Sequence, residues 1–325
     1  MVTRTVLVEY AFLGRELVVF GVRADWERPR VAVVPVDRAE LASFVESHFG
    51  SGDQVRDMVD LGMEDVWLGH AALVAPIAAW AEPGDVVYLV PHNLLHYLPL
   101  HALPVDGTPL IERNPVVYSP STSILSKIPS RVGGRERAAV FGDSRGDLAH
   151  ANAEAKGLGA LLETDPVLGP NVTRAAVLQG FATADIVHIA GHGMFDVADA
   201  MGSGVLLADG DLLTAADVFG LPPVRASLVT LSGCETGVSR NRLGDELIGL
   251  TRAFLYARTS AMLVSLWTVA DSSTAYLMGR FYQHLRDGAA STAHALQRAA
   301  LDTRSSPGWS SLYHWAPFVL IGDWR

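Results

Sequence analysis

The sequence predicts an α/β fold in which a mostly parallel sheet is covered by helices on both faces and is preceded by an associated N-terminal α/β part. Two patterns carry this expectation. After about residue 137, short apolar runs alternate with helix-length amphipathic segments, the signature of parallel strands joined by crossover helices. Before it, three runs with strand alternation lead into helical patterns and then one further apolar run. A hydrophobic fraction of 49% over 325 residues is ample for the core that such a sheet needs.

In chain order, "RTVLVEYAFL", "ELVVFGVR" and "RVAVVPV" read as strands, residues 39 to 80 as helical, and "DVVYLVP" as a strand. The stretch "YSPSTSILSKIPSRVGGRER" is rich in Pro and Ser, then in Gly and Arg, and is the best internal boundary. It divides a supporting part, residues 1–130, from a second part, residues 131–325. There "RAAVFGD", "ADIVHIAG", "ASLVTLSG", "SAMLVSLW" and "WAPFVLIGD" read as strands. The helices between them are "AHANAEAKGLGALL", "TRAAVLQGF", "TAADVFG", "GDELIGLTRAFLYA", "SSTAYLMGRFYQHLRDG" and "TAHALQRAALDTR". No solenoid-length repeat interrupts this order.

Composition excludes several classes of function. With 35 acidic against 25 basic residues, the chain lacks the positive field that binding to a nucleic-acid backbone requires. One cysteine forms neither an internal disulfide nor a cysteine-rich zinc site, which points to the cytoplasm. The first apolar stretch carries Glu9, Arg15 and Glu16 and does not read as a leader, and Glu82 to Asp85 break the most apolar window of the first third. No membrane association is expected.

In an open parallel sheet the chemistry sits at the carboxyl ends of the strands. Two strands end in glycine-flanked polar residues, "DIVHIAGHG" with His192 and "LVTLSGCETG" with Cys234. An imidazole beside a thiol favours the thiolate, the nucleophilic form. Glycines 191, 193 and 233 allow close backbone approach, and the amides of Gly193 and Cys234 are candidate donors to an oxyanion. A lone cysteine is commonly inert packing, and it is the joint placement with His192 that favours chemistry. His188, inside "IVHIA", reads as a core histidine.

These residues resemble the CHAT family of bacterial caspase-like cysteine peptidases, relatives of caspases and separases. The resemblance runs through "ADIVHIAGHG", "SGVLLADGDLLTAADV", "ASLVTLSGCETG" and the segment from "GDELIGL" through "VSLWTVAD", and upstream through "LVPHNLLHYLPLHALPVDGTPLIERNPVVYSPSTSIL". It implies a caspase-like catalytic sheet, a pseudo-protease-like first part, and a dyad of His192 as base and Cys234 as nucleophile. It also implies a pocket for the residue before the cut near Ser232, Ser265, Trp267 and Asp271, with Glu235 beside the nucleophile, and an activation loop holding Arg240 and Arg242. Glu235 and Thr268 stand where caspases carry arginines, so cleavage after aspartate is not expected. The implied activity is hydrolysis of a specific protein substrate without a cofactor, under a separate regulatory or sensor protein, in bacterial defence or regulated cell death.

Two other readings are open. One is a catalytically inactive caspase-like scaffold that binds partners. The other is a serine esterase, since "VFGDSRGDLAH" places Ser144 at a strand end, although its only Asp-X-X-His spacing is Asp147 to His150 and Arg145 replaces the expected leucine. His92, His96 and His101 in "PHNLLHYLPLH" invite a metal, but Pro91 and Pro99 bracket them and no carboxylate lies between the first two. They are expected to pack and hydrogen-bond.

Overall fold

A computed structural model describes residues 4–129, 135–194, 199–233, 245–267 and 271–325, with backbone alone for 245–248 and 271. Eleven strands build one sheet: β1 (Thr5–Leu13), β2 (Glu16–Val22), β3 (Arg30–Val34), β4 (Val86–Val90), β5 (Val116–Tyr118), β6 (Ala138–Gly142), β7 (Val167–Leu168), β8 (Ile186–Ala190), β9 (Leu228–Ser232), β10 (Ala261–Ser265) and β11 (Phe318–Gly322). Their spatial order is β3-β2-β1-β4-β5-β11-β10-β9-β8-β6-β7. The longer helices are α1 (Arg38–His48), α2 (Gly52–Asp60), α3 (Ala149–Leu162), α4 (Arg174–Thr183), α5 (Asp245–Tyr256), α6 (Asp271–Arg286) and α7 (Thr292–Ser305).

The sheet contains two parallel blocks. β1, β4, β5 and β11 run one way, β10, β9, β8, β6 and β7 the other, and the blocks meet at the antiparallel β10–β11 pair. Strand β5 lies in "NPVVYSP", a run that sequence patterning does not distinguish from the boundary stretch that follows it. It is three residues long, too short for a period to show, and the sheet around it makes it a strand. Through β5 and β11, strands from before and after that stretch share one sheet. The expected division at 130 and 131 itself lies outside the described residues.

The central strands β4, β8, β9, β10 and β11 are buried along their whole length. Alternate side chains go to opposite faces, as strand geometry requires. Val187, Ile189, Val229 and Leu231 pack in one cluster with Val177 and Phe181 of α4 and Phe254 of α5, while Ile186, Leu228 and Leu263 pack in another with Leu158 of α3 and Leu277 and Phe281 of α6. The helices take ordinary caps, such as Thr173 accepting from the Ala176 amide at the start of α4 and Ser291 accepting from His294 at that of α7. In α3, Gly157 is exposed and a methyl group there would meet nothing within 4 Å. Gly157→Ala should therefore stabilise the fold by about 0.5–1 kcal/mol in denaturant unfolding, because it lowers the entropy of the unfolded chain at no steric cost.

The upstream histidines serve packing and hydrogen bonding. His92 Nδ1 accepts from the Phe12 amide at 2.9 Å, and His101, 1% exposed, pairs Nδ1 with the Tyr118 hydroxyl at 2.9 Å. Burial lowers His96 to about 4 and His101 to about 3. Below about pH 6.5 the unfolded chain takes up protons that these folded histidines refuse, so stability should fall with pH, by up to about 1.4 kcal/mol per pH unit for each histidine. The loss runs from pH 6.5 down towards 4, and His101→Gln should remove its share in unfolding curves taken across that range. Among the described residues, no three His, Cys, Asp or Glu side chains gather as metal ligands, and no helix is long and apolar enough to cross a membrane.

Candidate active site

Strands β8 and β9 are parallel neighbours in the register Ala190↔Ser232. His192 follows two residues after Ala190, and Cys234 follows two residues after Ser232 in the sequence. Cys234 lies outside the described residues, as do Glu235, Arg240 and Arg242. The turns before them are closely packed: the Gly191 amide donates to the Ser232 carbonyl at 3.1 Å, and Gly233 adopts φ +85° with its Cβ position 3.3 Å from the Gly191 carbonyl oxygen. Only glycine adopts that backbone there without strain.

The His192 imidazole is held from one side by the turn after β6. Asp143, at φ 52°, starts this turn; its amide donates to the Ala190 carbonyl at 2.9 Å, and its carboxylate accepts from the Leu148 amide at 2.9 Å. The turn presents Asp147, whose Oδ1 accepts from His192 Nε2 at 2.8 Å while Oδ2 pairs with Arg145 Nε at 3.1 Å. The hydrogen bond from His192 holds the Asp147 carboxyl below the usual carboxylate range. In a neutral ring that bond puts the proton on Nε2.

From the other side, a small antiparallel sheet of Gly193–Met194, Gly204–Leu206 and Leu212–Thr214 grips the chain just after His192. The His192 carbonyl accepts from the Leu206 amide at 2.9 Å, and the Leu206 carbonyl accepts from Ser144 Oγ at 2.7 Å. Ser144 is 6% exposed. Its hydroxyl is thus engaged with a backbone carbonyl. The Asp147 carboxylate meets His192 and Arg145.

Of the residues expected around the substrate, Ser232 is buried and donates from Oγ to Glu154 Oε1 at 2.6 Å. Ser265 is buried and donates to the Trp267 carbonyl. Trp267 is 2% exposed, donates from Nε1 to the Tyr313 carbonyl at 3.3 Å and meets the Phe49 ring edge-on at 6.0 Å, so its ring serves packing between the C-terminal strands and the N-terminal helices. Asp271 opens α6, and its side chain lies outside the description. Beside His192 runs a cleft between the ends of β8 and β9, lined by Gly191, Gly193, Val205, Gly233 and Leu250, with a volume of about 10 Å³. That is room for a single water molecule.

Two acidic residues of this region escape the motif reading. In the sequence Asp147 stands out only beside Ser144, and Glu154 sits in a helix with no distinguishing pattern. The Gly-Asp pair at 146–147, shortly past the end of β6, is the one local signal for the first. For the second there is none, because its partners come from two distant strands.

The CHAT domain model matches residues 68–323. The chain belongs to the CHAT family. It is similar to Tetratricopeptide repeat protein 28 of Homo sapiens, 30% identical over an alignment of 274 positions that covers 71% of this chain and 11% of that protein. The protein of the same name from Mus musculus is 28% identical over 66% of this chain and 10% of its own length. The CHAT chain thus spans about a tenth of these relatives. Among solved structures, separase in the Saccharomyces cerevisiae separase–securin complex superposes with a TM-score of 0.68 at 10% identity, over 98% of this chain and 30% of that one. At that identity the likeness is one of fold: the CHAT chain has the caspase-like α/β architecture.

Proposed function

We propose that this CHAT protein is a cysteine endopeptidase acting through His192 and Cys234 on a specific protein substrate. The observation that carries the reading is the paired row Ala190–Ser232, with His192 two residues past one member and Cys234 two residues past the other. With Nε2 committed to Asp147, Nδ1 of His192 takes the thiol proton. The thiolate attacks the scissile carbonyl, the amides of Gly193 and Cys234 receive the oxyanion, and His192 returns the proton to the leaving amine. A water then deprotonated by His192 releases the acyl group. Asp147 is a positioning residue that fixes the ring and its tautomer. Ser232, Glu235, Ser265, Trp267 and Asp271 remain the proposed surroundings of the residue before the cut, Arg240 and Arg242 the proposed activation loop, and residues 1–130 the supporting part.

A separate regulatory or sensor protein is proposed to control the peptidase. A separase likeness seen in a complex with securin agrees with control by a partner, and the setting we propose is bacterial defence or regulated cell death in the cytoplasm. The Ser144 hydroxyl, bonded to the Leu206 carbonyl, favours the cysteine over the serine as nucleophile.

An electrophilic peptide probe with a thiol-reactive warhead tests the reading. Labelling of the wild type and none of Cys234→Ala is expected; equal labelling of both would refute it. Asp147→Asn should lower turnover by about tenfold, less than for a fully buried orienting carboxylate, because water reaches the half-exposed site and compensates in part. Unchanged turnover would remove Asp147 from the mechanism.

A further inference from the structure

Directly beneath the two strand ends lies a buried polar chain that the reaction does not use. Glu154 of α3 is 7% exposed, and its Oε1 accepts from Ser232 Oγ at 2.6 Å and from His188 Nε2 at 2.9 Å. His188 is fully buried and turns Nδ1 to the Tyr282 hydroxyl of α6 at 3.2 Å, and that hydroxyl meets Thr230 Oγ1 at 2.8 Å. With a neutral imidazole every hydrogen has one place: Thr230 donates to Tyr282, Tyr282 to Nδ1, and Nε2 and Ser232 to the carboxylate. A single helix carboxylate therefore holds β8 at His188, four residues before His192, and β9 at Ser232, two before Cys234.

The surroundings make this arrangement costly unless it is complete. Val140, Leu158, Leu277 and Phe281 pack on the same face, and a carboxylate among apolar groups is tolerated only with its bonds made. The backbone ladder joins β8 to β9 as far as Ala190 and Ser232, and the Gly191 amide adds one bond to the Ser232 carbonyl. Beyond that row Gly191 and Gly233 leave the backbone free to turn, so a side-chain clamp on the last strand residue controls where the next residues go. Reaction geometry is sensitive at this scale, a misplacement of about 1 Å reducing a rate by about a hundredfold.

We propose that Glu154 is a positioning residue for the His192–Cys234 pair, setting the separation of the two strand ends by holding Ser232 and His188 on one oxygen. This rests on the peptidase reading. It also makes Ser232 a member of a structural clamp in addition to its expected place in the pocket.

Because the chain has one cysteine, alkylation by iodoacetamide reports Cys234 alone, on the full chain and without a substrate. Its rate and pH midpoint should be compared in wild type, Glu154→Gln, Glu154→Leu, Ser232→Ala and His192→Ala. Glu154→Leu and Ser232→Ala, like His192→Ala, should slow alkylation at pH 7 at least fivefold and raise the pH midpoint, since the thiolate loses its neighbour. Glu154→Gln, whose amide oxygen accepts the same two bonds, should stay within twofold. Ser232→Ala leaves the His188–Glu154 bond in place and carries the test if Glu154→Leu does not fold. Wild-type rates and midpoints in folded Ser232→Ala, with His192→Ala slowed, would overturn the clamp and leave the dyad standing. An unchanged rate in His192→Ala would overturn both.

Discussion

Replacing His192 by alanine is expected to reduce peptide hydrolysis by roughly 10³-fold, the loss of a positioned general base, with little effect on stability. The strand that presents His192 is held by its ladder and by the bond from the Leu206 amide. The measurement is kcat and KM on a cleavable peptide beside a thermal unfolding curve. A loss of rate at unchanged Tm assigns the effect to chemistry. Equal activity in His192→Ala and wild type would leave Cys234 without its base and refute the dyad. Asp147 stays ionised above the ordinary carboxylate range because its pKa is lowered, so an inflection near neutral pH in the rate profile would come from the dyad and not from Asp147.

Gly204→Ala is expected to be the most damaging of the conservative substitutions near the site. Gly204 lies in the small sheet, paired with Met194 on one side and Thr214 on the other, and a Cβ there would overlap the Leu213 carbonyl oxygen. Backbone cannot yield as a flexible side chain can, so the middle strand must part from its neighbour, at a cost of about 3 kcal/mol. A fall in Tm of about 5 °C would accompany it in a chain of this size. Activity should fall as well, since that strand holds both the His192 carbonyl and, through Leu206, Ser144. Gly210→Ala is the comparison: its φ of +76° strains an alanine but nothing lies within 4 Å, and the cost should be only about 1 kcal/mol. If the two variants unfold alike, the close approach at Gly204 is not what holds the small sheet.

The longer strands of the second part are legible because each is a short, largely apolar run bounded by glycine or a charged residue. "ADIVHIAG" became β8 and "ASLVTLSG" became β9, and "AHANAEAKGLGALL" matches α3 residue for residue. The strands that escape patterning are the short ones, Val116–Tyr118 and Gly193–Met194 among them. Two or three residues show no period, and it is neighbouring strands that satisfy their backbone groups. The helical reading from 39 to 80 resolves into α1, α2 and a series of short turns, with Pro76 inside one of them.

What the sequence by itself determined is the alternation that makes a layered α/β chain and the presence of an imidazole and a thiol just past two buried strands. Both follow from local order: burial on two faces writes an apolar run, and the exit from a strand is marked by glycine. Only the tertiary structure decided that β8 and β9 are neighbours in a register that aligns Ala190 with Ser232, that Asp147 meets the His192 ring, and that Glu154 joins the two strands from below. Those relations span 34 to 78 residues of chain. Hydrogen bonds at such separations depend on how helices pack across the sheet, and no window of sequence contains both partners.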